Sequence, residues 1–306
     1  MTKGETLMKP VLLCSGLNLH ACSTEDPMEY IAQGLKMHKL VGMEAADFPM
    51  GKLLDAMGDN WQPQMENARE LALLEGIPFR LCHLPFGVKL GDPEAKVADL
   101  SRQIHKAIDA AKVLGVDFAV LHPNTTTVPL SEFDPVAHYD GVMAHLAPFA
   151  EHAEKAGVQL CVENMRLVHE SYPIHRYCGT PDELCTIADA LGIGVCWDTG
   201  HAHINSLKQS EALAYVGNRL KMLHINDNFG GDDIHLAPFT GTADWADIMQ
   251  ALQNIGYEGL LNFELTTCRI PADCRESFGR YVATAGNKLR QMLYSEDTEV
   301  GNKTSP

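Results

Sequence analysis

The 306-residue sequence predicts one closed α/β barrel, eight parallel strands each followed by a helix, and three observations carry that prediction. Eight short apolar runs end on a charged or imidazole-bearing residue, and each gives way to a helical stretch. The helices stop on Gly76, Gly115, Gly157, Gly192 and Gly256, each followed within a few residues by an apolar or strand-like segment, so the returns to the sheet are short. Glycine suits that place because it adopts the left-handed conformation that ends a helix. The strand-to-helix connections are long instead, at about 123–135, 165–180 and 227–243. In a (β/α)8, or TIM, barrel those long loops share one rim, the one that carries the active site.

The elements follow in order. Residues 11–20 (VLLCSGLNLH) read as the first strand. DPMEYIAQGLKMHKL reads as a helix, with Asp26 near its start and Pro27 in the first turn, where a missing N–H costs nothing. VGMEAAD is the second strand, ending near Glu44 and Asp47. A helix over about 61–75 leads to strand 79–84, then helix 92–114, strand 117–122, helix 136–156 and strand 158–164. Helix 181–191, strand 193–199, helix 209–219, strand 221–226, helix 244–255, strand 259–265 and helix 272–294 complete the count. No Pro/Ser-rich linker divides the chain, so residues 1–306 read as a single domain with its core over about 10–294 and a polar tail at 295–306. A doubly wound open sheet would carry a glycine-rich phosphate loop after its first strand. SGLNLH does not match GxGxxG, and no GxxxxGK[ST] occurs.

Composition narrows the class of function. A hydrophobic fraction of 45% supplies a packed core, and no apolar run approaches the ~18–20 residues that span a bilayer. The start, MTKGETLMKPVLLC, lacks the long apolar stretch of a secretory signal. Nine cysteines, an odd number without CxxC spacing, point to free thiols in a reducing cytoplasm; Cys82, Cys161 and Cys196 fall inside predicted strands. A net charge of −16 opposes nucleic acid, whose phosphates call for a basic footprint. No nucleic-acid or membrane partner is therefore expected, and the oligomeric state is left open, a homo-oligomer included.

The strand ends carry the chemistry. VQLCVEN ends on Glu163, IGVCWDTGHAH carries Asp198 and His201, KMLHIND carries His224, and GLLNFEL ends on Glu264. FRLCHLP and FAVLHPN present His83 and His122 in the same way. Glu163, Asp198, His224 and Glu264 are thus the last polar residues of four successive strands. Three carboxylates and one imidazole make a hard, oxygen-rich donor set suited to Mn²⁺, Mg²⁺, Co²⁺ or Zn²⁺. The competing reading is a set of structural ion pairs, but Lys and Arg are scarce in these segments, and carboxylates converging without a cation are costly. His201 serves as a substrate hydroxyl partner, a second metal ligand or a packed core residue. Asp233 and His235, in GDDIHLAPFTG, form a two-ligand Asp-x-His unit on one loop.

VENM, DTGH, HIND, D-x-H-L-x-P-x-x-G-x-x-D-W and NFEL, in that order, resemble the xylose isomerase-like TIM-barrel superfamily over roughly residues 10–290. That superfamily groups sugar (phosphate) isomerases and epimerases with endonuclease IV. The resemblance implies a metal site of Glu163, Asp198, His224 and Glu264, with Glu163 and Glu264 as the acid/base pair and His201 on the substrate. It also implies, through endonuclease IV, a trinuclear set of His83, His122, Glu163, Asp198, His201, His224, Asp233, His235 and Glu264. One departure from the ketose 3-epimerases concerns their arginine six residues past the metal histidine, where this chain has Gly230. The loop RLVHESYPIHRYCG also departs from their pattern, and its Arg166, His169, His175 and Arg176 suit an acidic or phosphorylated substrate.

The sequence therefore predicts a divalent-metal-dependent, cytoplasmic isomerase or epimerase, Mn²⁺ being the first choice of ion. Its substrate is a small carbohydrate, and protons move through a metal-stabilised enediolate. Glu163 and Glu264 are the catalytic pair, with His201, His83, His122 and Arg166 on the substrate. A metal-dependent lyase or dehydratase acting on a polyol or sugar-derived acid, and an endonuclease IV-like phosphodiesterase, are the alternatives.

Overall fold

A computed structural model describes residues 11–20, 24–169 and 172–294. The expected polar tail, 295–306, lies outside them. Eight strands form the barrel: β1 Leu12–Cys14, β2 Ala45–Pro49, β3 Phe79–His83, β4 Phe118–Leu121, β5 Leu160–Glu163, β6 Gly194–Asp198, β7 Leu220–His224 and β8 Leu261–Phe263. Each pairs in parallel with the next from β1 to β7, and β8 pairs in parallel with β1. A parallel bridge between Ile225, just past β7, and Phe263 in β8 closes the ring.

The interior explains the buried thiols. Leu13, Ala45, Leu81, Val120, Cys161, Cys196, Met222 and Leu260 form one cluster inside the barrel, one side chain from each strand or its approach. Small thiols fit where eight side chains meet near one axis. Truncating Met222 to alanine here would cost about 2–5 kcal/mol through lost contacts and a residual cavity. The larger core lies between the strands and the helices around them, with Trp197, Phe48 and Phe263 fully buried. A strand covered on both faces reads as a continuous apolar run, which is why these strands were visible in the sequence.

Ten α-helices occur among the described residues, two more than the eight expected. The eight expected ones are α1 Pro27–Val41, α3 Trp61–Glu75, α4 Glu94–Leu114, α5 Pro135–Ala156, α6 Pro181–Leu191, α8 Gln209–Val216, α9 Trp245–Asn254 and α10 Arg275–Tyr294. The additions are α2 Met50–Met57 and α7 Thr199–Ile204, both starting where a barrel strand ends. Asp26 caps α1 by accepting from the N–H groups of Met28 and Glu29, and Gly76, Gly115, Gly157 and Gly192 end their helices in the left-handed conformation, as expected.

Three expectations need correction. The first strand is only Leu12–Cys14; Gly16, at φ 70°, turns the chain, so residues 15–20 belong to the rim. Glu44 does not end the second strand. It precedes Ala45 at the N-terminal end of the barrel, where Oε2 accepts from the Leu12 N–H at 2.9 Å and from Arg290 Nη2 at 2.6 Å. The loops after β4 and β5 are also not plain loops. Val128–Pro129 pairs antiparallel with Tyr172–His175, which pairs antiparallel with Val168–His169, giving a small sheet above the rim.

Candidate active site and metal centre

The parallel strands deliver their last residues to the C-terminal rim of the barrel. Glu163, Asp198 and His224 end β5, β6 and β7, and Glu264 directly follows β8, its N–H donating to the Ile225 carbonyl at 3.1 Å. One ligand atom from each of the four lies within 4.8 Å of the others. Glu163 is central. Its Oε2 lies 3.2 Å from His122 Nε2, 3.3 Å from His224 Nδ1 and 3.7 Å from His83 Nε2. Glu264 Oε2 approaches the same His224 Nδ1 at 3.2 Å.

Two further groups adjoin this one. His83 and His122 share Glu163, with their Nε2 atoms 3.2 Å apart. His201, Asp233 and His235 form the other, with Asp233 lying 3.4 Å from His201 Nε2 and 2.9 Å from His235 Nε2. All nine residues singled out in the sequence thus come together. Arg166 joins them at longer range, its Nη1 3.5 Å from Asp233 Oδ2. His203 is apart, bonded to Thr242 Oγ1 at 2.9 Å, in keeping with a structural role.

The asparagines and the glycine of the motifs hold Asp198 in place. Asn164 accepts from the Asp198 N–H at 2.5 Å and donates to its carbonyl at 3.0 Å. Asn226 Nδ2 donates to Asp198 Oδ2 at 2.7 Å, and the His201 N–H donates to Oδ1 at 2.6 Å, which also caps α7. A Cβ at Gly200 would stand 1.8 Å from Asn226 Oδ1, so DTGH requires glycine for close approach. Asp227 shapes the Asp233/His235 loop by accepting from the N–H groups of Gly241 and Ala243, both at 3.0 Å, and from Trp245 Nε1 at 3.1 Å.

The donor set fits a divalent cation. Glu163 Oε2 and both ring nitrogens of His224 are buried and make no hydrogen bond with any described residue, a costly state that a metal would relieve. Within the protein the imidazoles balance the carboxylates. Burial pushes Glu264 up, but His224 and His235 outweigh it and hold the carboxyl at about 2. The same competition keeps Glu163 well below the usual carboxylate range through His224 and His122. Burial dominates at Asp198 and raises it to about 6, while His201, lowered by burial, is carried to about 9 by Asp198 and Asp233.

A cavity of about 400 Å³ opens over the cluster, walled by Thr125, Thr127, Arg166, Ile174 and Arg176. Phe86 stacks on the His122 ring, with centroids 4.2 Å apart. A second hollow of about 350 Å³ lies on the other side of His83 and Glu264, lined by Ser15, Asn18 and Asp47. Asp47 reads from the sequence as a strand end, with no role at the site. Its Oδ2 accepts from Ser15 Oγ and Asn262 Nδ2, both at 2.9 Å, and its Oδ1 is buried without a partner among the described residues. The signal was present, since AADFP carries a carboxylate near a strand end as the other runs do.

Fold and rim together define a parallel α/β barrel with a polar, metal-type donor cluster at the C-terminal ends of its strands. The chain belongs to the xylose isomerase-like TIM barrel family, whose model matches residues 36–279. It is 32% identical over 203 residues to the uncharacterized protein y4fM of Sinorhizobium fredii, a stretch covering 64% of this chain and 61% of that protein. It is 25% identical over 188 residues to a fructoselysine 3-epimerase of Shigella flexneri, covering 60% of this chain and 64% of the relative. The chain thus spans under two thirds of these relatives' length. Among solved structures, an L-ribulose 3-epimerase superposes with a TM-score of 0.72 at 17% identity, covering 97% of this chain and 100% of that one, a likeness of fold. No helix among the described residues is long and apolar enough to cross a membrane.

Proposed function

We propose that the protein is a divalent-metal-dependent sugar isomerase or epimerase that moves a proton at the carbon beside a carbonyl. One observation carries this reading. Glu163 and Glu264 approach a single imidazole nitrogen, His224 Nδ1, at 3.3 and 3.2 Å, and both line the cavity. Relatives named as 3-epimerases support the sugar class. Glu163, Asp198, His224 and Glu264 would hold the ion, Mn²⁺ first among the candidates. When bound, it would supply Lewis-acid polarisation of neighbouring sugar oxygens.

The chain's own residues do the rest. Glu163 and Glu264 are held as carboxylates at neutral pH, so either can accept a proton from carbon. One takes it and the other returns it. Return to the opposite face inverts the carbon and gives epimerisation, whereas return to the neighbouring carbon gives isomerisation. His201 orients substrate oxygens from a fixed ring, since its Nδ1 donates to the Asn164 carbonyl at 2.8 Å. The unpaired state of the eight described cysteines supports a reducing, cytoplasmic setting.

The adjoining groups, His83–His122–Glu163 and His201–Asp233–His235, favour a second reading, a polynuclear phosphodiesterase related to endonuclease IV. The net charge of −16 opposes it, and cleavage of an abasic duplex by the metal-loaded protein would establish it. The test of the first reading is turnover of ketoses and aldoses in deuterated water. Label should enter beside the carbonyl, and Glu264→Gln should slow exchange by roughly 10²–10⁴-fold with little change in substrate affinity. Product formed without label would point to a hydride shift and remove the acid/base roles.

A further inference from the structure

Arg176 follows the rim sheet and is only 9% exposed, yet no carboxylate among the described residues forms an ion pair with it. Its Nε and Nη2 donate to the Asn124 carbonyl oxygen at 3.3 and 3.1 Å, and Nη1 makes no hydrogen bond with any described residue. The guanidinium lines the cavity over the cluster, together with Arg166, Thr125 and Thr127. Among the described residues Arg166 has one ion-pair contact, to Asp233 at 3.5 Å, and no other described residue takes its remaining donors.

This cation is held rigidly. The preceding His175 bonds Glu183 at the start of α6 at 2.8 Å, the Phe133 ring lies against it at 3.5 Å between centroids, and Val128 pairs with it in the rim sheet. A buried, pre-organised guanidinium with spare donors matches an oxyanion, to which it can present parallel N–H groups. A bare loop fastener would not need the charge, because a neutral donor can serve the Asn124 carbonyl equally well. The two hollows also differ in their arginines. The one beside Asp47, Ser15 and Asn18 shares Glu264, His83 and His235 with the first but has no arginine, whereas Arg166 and Arg176 face only the cavity over the cluster.

We propose that Arg176, with Arg166, forms an oxyanion subsite, so that the substrate is a sugar derivative carrying a carboxylate or phosphate. The reacting carbon lies over Glu163 and Glu264, the anionic end lies under the arginines, and the uncharged hydroxyl end points toward Asp47. The sugar part of this assignment rests on the isomerase reading; the oxyanion part rests on the arginines.

The test is calorimetric titration of the metal-loaded protein with fructose, fructose 6-phosphate and galacturonate. One of the two anionic sugars should bind roughly 10–100-fold more tightly than fructose, and which one does so separates phosphate from carboxylate. Arg176→Gln should collapse that ratio toward one, Arg166→Gln should reduce it less, and Arg176→Lys should keep part of it. Equal binding of neutral and anionic sugars by the unaltered protein overturns the proposal. So does a ratio unchanged in Arg176→Gln at equal metal content and native circular dichroism. Should the glutamine variant not fold, the ratio in Arg166→Gln and Arg176→Lys decides, and no change in either overturns it. Deuterium exchange in the same samples distinguishes the two readings. An intact anion preference without exchange on any sugar removes the isomerase reading alone, and exchange without the preference removes the subsite alone.

Discussion

At the N-terminal end of the barrel, carboxylates meet arginines. Glu44 lies 2.6 Å from Arg290, Asp189 lies 2.6 Å from Arg219, and Asp117 pairs with Arg80. At the C-terminal end, Glu163, Asp198 and Glu264 meet imidazoles and one another. The same chemical groups are settled at one end and left in tension at the other. Exposed pairs of the first kind contribute about 1 kcal/mol or less each. Crowded carboxylates of the second kind cost stability and are tolerated where a ligand relieves them. Acidic residues near strand ends are therefore informative only once the end is known.

The comparison can be broken by substitution, and the largest effect belongs to the rim. Glu163→Gln should lower turnover by roughly 10²–10⁴-fold and reduce bound metal, read by kinetics and elemental analysis. A variant with full metal and full rate would remove Glu163 from both roles. Next comes the ion itself. Adding Mn²⁺ at about a hundred times its dissociation constant to chelator-treated protein should raise unfolding stability by about 3 kcal/mol, measured in urea. No shift in midpoint would mean that the rim is not under the tension described.

A histidine away from the cluster supplies the control for pH. His145, on α5 against Phe149, is lowered by burial to about 4. A depressed pKa means that the fold favours the neutral ring, so its contribution is complete above about 6.5 and is lost as pH falls toward 4. His145→Leu should flatten that part of the stability profile, and urea midpoints at pH 7 and pH 5 would show it. An unchanged slope would assign the acid sensitivity to the rim. The smallest effect is expected at the settled end, where Glu44→Gln should cost about 1 kcal/mol in urea, with unaltered turnover.

Much of this arrangement was legible because buried strands and polar strand ends leave strong local marks. VQLCVEN, IGVCWD and KMLHIND announce both a strand and the polar residue near its end. What was lost lacked such a mark. α7 spans six residues and is capped by Asp198, a residue already claimed by the strand, and the rim strands are two to four residues long. Glu44 and Asp47 stand three residues apart, and only the register decides which one reaches the site. Leu13 pairs with Ala45 and Pro49 with His83, which puts Asp47 toward the rim and Glu44 below. Arg176 was one of several polar residues in a loop, and its burial, invisible in the sequence, sets it apart.

The rim sheet stitches the loop after β4 to the loop after β5, and the arginine cavity is walled by both. The four-residue cluster below takes its side chains from strand ends instead. Selection can therefore remodel the cavity wall without disturbing the strand-end cluster beneath, provided that the two loops change as a matched pair. A graft of either loop alone from a relative would arrive without its pairing partner, whereas a graft of both would travel as one inheritable module.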